Sequence, residues 1–147
     1  MATQNTPEGL GIAEGSQTIL NSSTPGRAFT SQINAADRLI RKFGGTVTLI
    51  RTTEGEFDPV TQERQPALQS ALFRAAILPP GKSAEYRIGS IVGRNLIELH
   101  MAQKGQSMQP MPGDQVRWSN YDWTIIWATT YDPSGAGAIY SKAYAER

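Results

Sequence analysis

The stretch "VRWSNYDWTIIW", Val116 to Trp127, holds all three tryptophans of the chain. Two runs of alternating large residues flank Ser119-Asn120, which reads as the turn of one tight hairpin. A ribbon this apolar must be covered, so the chain is committed to an antiparallel sheet around it. Tyr121, Trp123, Ile125 and Trp127 are expected on one face of their strand, with Val116 and Trp118 on the strand opposite. Each buried aromatic covers about 150–250 Å², so Trp118, Trp123 and Trp127 form the expected core hairpin. Thr124 and Ile126 point the other way, where an exposed Ile126 would mark a subunit contact.

The rest of the pattern agrees with a small β domain. "TVTLIRT" alternates Val47, Leu49 and Arg51 against Thr46, Thr48 and Ile50, a half-buried strand. "EGEFDPVTQERQP" reads as a polar excursion turning at Asp58-Pro59. The second half of "ALQSALFRAAIL" reads as a strand stopped by Pro79-Pro80-Gly81. "NLIELHMAQ" sets Ile97, Leu99 and Met101 on one apolar face, and "AIYSKAYAER" is a final strand. One short helix precedes them. Asn34 is its expected N-cap, Ala36, Leu39, Ile40 and Phe43 share a face, Arg41 and Lys42 suit its C-terminal end, and Gly44-Gly45 stops it. The fold class expected is mainly β: a small antiparallel barrel or sandwich over residues 31–147, with one short N-terminal helix. Residues 1–30, rich in Thr, Ser, Asn, Gln and Gly, read as a flexible or partner-ordered arm.

Composition narrows the chemistry. At 147 residues the chain suits one domain. A formal net charge of +1 gives no global field toward DNA or an anionic surface. The absence of cysteine removes disulfides, thiolate metal sites and a thiol nucleophile. No basic start followed by an apolar run opens the sequence, and no apolar stretch is long enough to span a bilayer, so the expectation is a cytoplasmic product without a membrane partner.

Candidate sites are few. His100 is the single histidine, and it stands at no spacing that assembles a catalytic group, so no enzyme activity is expected. Glu54, Glu56, Asp58 and Glu63 cluster around the Asp-Pro turn without calcium-loop spacing and read as a solvated hairpin tip; no metal and no cofactor are expected. "PPGKS" resembles the end of a phosphate-binding loop, but the glycine position five before Gly81 is Ala76, and "AEYRIG" has no helical periodicity. Pro79 to Arg94 carries Lys82, Arg87 and Arg94 against Glu85, a local positive excess. One copy makes few phosphate contacts; repeated around an axis, the three cations would line a hole.

The order of features, "AADRLIRKFGGTVTLIRTTEGEFDPVTQE", then "PMPGDQVRWSNYDWTIIWATTYDP", then "AIYSKAYAER", resembles the head-closure, or head-to-tail connector, proteins of tailed bacteriophages. The resemblance covers roughly Ala35 to Arg147. It implies a β-barrel-like virion subunit of the neck, closing as a homo-oligomeric ring (six-fold or twelve-fold) between the portal or adaptor protein and a tail-terminator or tail protein. Such a ring continues the channel for genomic DNA, helps retain it and offers the tail a docking surface. By position between two strands, Lys82, Arg87 and Arg94 are the expected channel-loop residues. The alternatives are a tail-terminator or tail-completion ring and, in a different class, an oligonucleotide-binding barrel that stacks bases on hairpin aromatics.

Overall fold

A computed structural model describes residues 26–147. The expected arm through residue 25 lies outside them. The described chain is mainly β: six antiparallel strands close into one barrel, with two helices against its outside. In chain order these are α1 (Thr30–Phe43), β1 (Gly45–Asp58), β2 (Glu63–Leu78), α2 (Ser83–Ile88), β3 (Leu96–Ala102), β4 (Gln115–Trp118), β5 (Tyr121–Tyr131) and β6 (Tyr140–Glu146). Around the barrel the order is β1-β2-β3-β6-β5-β4, and β4 pairs back onto β1 through Thr48↔Arg117 to Ile50↔Gln115. Closure leaves the barrel itself without a raw edge.

Alternation fills the interior. Val47 and Leu49, Phe73 and Ala75, Ile97, Leu99 and Met101, Val116, Trp123 and Ile125, and Ala143 and Ala145 are the inward residues of the six strands. Every pair is two positions apart, as the pleat requires. The hairpin turns at Ser119-Asn120 as expected, and both residues take positive φ, 53° and 64°.

Three expectations are corrected. Helix α1 begins a turn early, at Thr30, so Asn34 lies inside it and Phe29 stands at the N-cap without a side-chain cap bond. The extra turn carries Ile33, whose tip reaches the loop at Gly137; tertiary contact outweighs the better capping residue. The helix ends against β2 at Gly44, where a Cβ would stand 2.2 Å from the Ala75 carbonyl oxygen. Second, the "polar excursion" is strand. β1 and β2 stay paired from Gly45↔Ala75 to Asp58↔Glu63, although β1 meets β4 only at Thr48–Ile50 and β2 meets β3 only at Ala75–Leu78. The remainder projects from the barrel as a two-stranded ribbon. A bulge between Glu54 and Phe57 bends it, and a Cβ on Gly55 would sit 2.0 Å from the Gln65 carbonyl oxygen. Third, "SAEYRI" is helical, forming α2.

Candidate functional site

The segment from Pro79 to Arg94 leaves β2, forms α2 and returns into β3. It is tied down more firmly than its glycine content suggests. Arg94 donates from Nε and Nη2 to the two carboxylate oxygens of Glu146 on β6, at 3.0 and 2.7 Å. Its Nη1 also donates to the carbonyls of Ile88 and Ser90, both at 3.3 Å. Hydrogen bonding to Glu146 raises the Arg94 pKa above its ordinary value, and the same bond holds the Glu146 carboxyl below its own. Planar pairing of this kind suits an arginine used as a fixed clamp. Arg94, expected as a channel-loop cation, therefore anchors the loop to the barrel within the chain.

Arg87 is placed differently. It projects from the last turn of α2 and lies over the Trp127 ring at 4.7 Å. Lys82, just before α2, is exposed and makes no side-chain hydrogen bond or ion pair among the described residues. The three cations thus share one segment, with Arg94 engaged by carboxylate, Arg87 spread on an aromatic face and Lys82 open.

The tryptophans divide as well. Trp123 is buried in the barrel, and Trp118 packs at its edge 6.0 Å from it. Trp127 leaves the shared face predicted for it. The register of β5 on β6 slips by one residue between Ile125 and Trp127, so Ala128 takes the inward position opposite Ala143, and Trp127 turns outward beside Tyr144. The two rings are 5.2 Å apart. Trp127, Tyr144 and Arg87 make a second layer outside the barrel, beneath α2. Ile126, the extra residue at the slip, is half-buried rather than exposed.

Behind the loop lies an ion cluster that the sequence did not signal. Glu98 is buried on β3, on the outward side. It accepts from Lys142 Nζ at 2.8 Å, from the Gly81 amide at 3.1 Å, and from His100 Nε2 at 3.1 Å. Burial pushes the Glu98 pKa up, but the bonds from Lys142 and Gly81 outweigh it and hold the carboxyl below its ordinary range. The Lys142 pKa is raised by the same partner. Gly81 belongs to the "PPGKS" stretch. Its amide faces a carboxylate, which would repel phosphate, although a helix does begin at Ser83. His100, held against Glu98, is part of this cluster.

The acidic residues Glu56, Asp58 and Glu63 lie at the outer end of the ribbon, and Glu54 lies below its bulge, opposite Pro66. Asp58 Oδ1 accepts the Val60 amide at 2.8 Å and Glu54 pairs with Arg64 at 3.1 Å, both in solvent. Among the described residues, no group of three or more His, Cys, Asp or Glu side chains is placed to hold a metal ion. Among the same residues, no helix is long and apolar enough to cross a membrane. A scan against protein-family models finds no match, and a search of curated proteins finds none either.

Proposed function

We propose that this chain is a non-enzymatic subunit of the neck of a tailed-bacteriophage particle. Copies close into a ring between the portal or adaptor and the tail. The ring continues the DNA channel, helps retain the genome and receives the tail. The motif order described above suggests the reading, and one observation carries it. The β1–β2 ribbon leaves the barrel with most of its length covered by no other described element, while exposing Phe57, Val60, Leu68 and Leu72. An isolated two-stranded ribbon is at best marginally stable in water, so its apolar side chains suit cover by another molecule. The oligonucleotide-stacking alternative finds less support. Trp123 is inside the barrel and Trp127 lies under Arg87, so two of the three hairpin tryptophans are not open as stacking faces.

The test is a particle made without this chain. The expected result is filled heads that lose DNA or fail to join tails, and cryo-electron microscopy of complete particles placing the chain in the neck. Tails of aberrant length would overturn head closure in favour of the tail-terminator alternative. Normal particles lacking the chain, or its absence from the neck, would overturn both.

A further inference from the structure

Helix α1 covers only part of the barrel wall. Ile40 is buried, but Leu39 and Phe43 remain 59% and 72% exposed. With Ala36 they form one wall of an open groove of about 610 Å³, whose other wall is Ala76, Leu78, His100 and Tyr140. Lys42 borders the groove with its ammonium 5.4 Å from the Phe43 ring, and Arg38 lies exposed on the outer side of the same helix. Arg41 is engaged by Asp37 at 2.9 Å.

The tip of the β1–β2 ribbon has the complementary chemistry. Val60 and Phe57 are 88% and 54% exposed, and the exposed Glu56 and Glu63 and the half-buried Asp58 neighbour them along the chain. Exposed apolar side chains with more carboxylates than cations beside them (Arg64 pairs across from Phe57 and is engaged by Glu54) stand at one end of β2, and an apolar groove on a helix that exposes Lys42 and Arg38 lies at the other. One copy cannot join its own two halves. Glu63 at the tip and Ala76 at the groove stand at opposite ends of β2, roughly 40 Å apart at the ordinary strand rise.

We propose that the ribbon tip of one copy seats in the groove beside α1 of a second copy, with Val60 and Phe57 against Leu39 and Phe43, and Glu56 and Glu63 toward Lys42 and Arg38. The contact is heterologous: the copy that gives its tip keeps a free groove, the copy that receives it keeps a free tip, and the arrangement propagates until it closes. It deepens the ring reading and rests on that reading only for closure about an axis.

The cysteine-free sequence makes the test direct. Phe43→Cys and Val60→Cys combined in one chain, treated with a short bis-maleimide, should give a covalent ladder of dimers and higher species on a denaturing gel. Phe43→Cys combined with Val92→Cys, another exposed position, should not. In sedimentation, Arg38→Glu/Lys42→Glu and Glu56→Lys/Glu63→Lys should each weaken self-association at least about tenfold through like-charge contact. Mixing the two variants should restore it, because each then meets the opposite charge. A ladder from both cysteine pairs, no ladder at the highest soluble concentration, or a mixture no stronger than its parts would overturn the contact. A neck ring without the ladder rejects this interface and spares the ring; a ladder without a neck location does the reverse.

Discussion

Arg51 on β1 grips Asp114, 63 residues later, through two parallel hydrogen bonds of 2.8 and 2.7 Å. Asp114 is the last residue of the Pro-Gly-Asp turn, and its Oδ2 also accepts the Met111 amide at 2.9 Å. Its backbone carbonyl receives the Ile125 amide at 2.8 Å. One side chain thus ties the loop before β4 to the strand on which β4 closes the barrel. Hydrogen bonding to Asp114 raises the Arg51 pKa, so the arginine stays charged over the whole working range. Arg51→Ala would leave Asp114, only 4% exposed at its side chain, without its countercharge. The expected cost is about 3 kcal/mol, typical of a pair broken from one side, read as a lower urea midpoint at unchanged slope. A loss under about 0.5 kcal/mol, the range of an ordinary surface change, would show that this clamp does not hold the barrel closed.

The tryptophans separate by what surrounds them. Trp123 packs inside the barrel against aliphatic neighbours from several strands, so Trp123→Ala opens a cavity and should cost about 3–5 kcal/mol. Trp127 lies outside, between Tyr144 and Arg87. Its truncation should cost less, about 1–2 kcal/mol by the area it loses, while loosening α2. Equilibrium unfolding of the two variants orders the costs, and amide exchange in residues 83–94 checks the loosening. Equal costs would place Trp127 in the core after all.

How far the sequence reaches is visible in these same residues. Trp123 and Ile125 were placeable by alternation alone. Trp127 was not, because period-two counting carries through a bulge that only the pairing with β6 reveals. The ribbon escaped for a related reason. From Glu63 to Ser70 every residue of β2 is exposed and most are polar, so no clean alternation signals a strand; pairing with β1 alone marks it. Asn34 is a good cap by type, yet the Ile33 contact extends the helix past it. The positive excess at Lys82, Arg87 and Arg94 was legible as charge. That Arg94 is claimed by Glu146 was not, since the two are 52 residues apart.

The Glu98 cluster sets a pH window. A carboxyl held below its ordinary pKa stabilises the fold fully above the unfolded value, about 4.3, and that stability is lost as pH falls through the lower folded value. Lys142, held above its ordinary pKa, contributes below about 10.4 and loses its share as pH rises through the higher folded value. The Glu98–Lys142 contribution should be present between these limits and lost on either side of them. Glu98→Gln should lower the plateau and make the acid limb shallower. What remains comes from Glu146 and Asp122, whose carboxyls are held down by hydrogen bonds from Arg94 and Arg117. Melting temperatures from pH 3 to 7 (a range bracketing the ordinary carboxylate values) give the answer; an acid limb of undiminished slope would remove Glu98 from the account.

Under the ring reading proposed above, Lys82 and Arg87 are the cations of this loop that no carboxylate engages among the described residues, while Arg94 pairs with Glu146. Lys82→Glu/Arg87→Glu turns two positive side chains negative in every copy, and a ring multiplies the change. Folding should survive at a cost of about 0.5–1 kcal/mol, the value of losing the Arg87 contact with Trp127 at an exposed site. Genome retention should not: phosphate would face a lumen of reversed sign. The measurements are DNA content of purified particles and the melting temperature of the isolated variant. Arg94→Gln is the contrast, because it should lower the melting temperature while sparing DNA content as long as Lys82 and Arg87 remain. Full DNA content and full infectivity in the double variant would take this loop out of the channel.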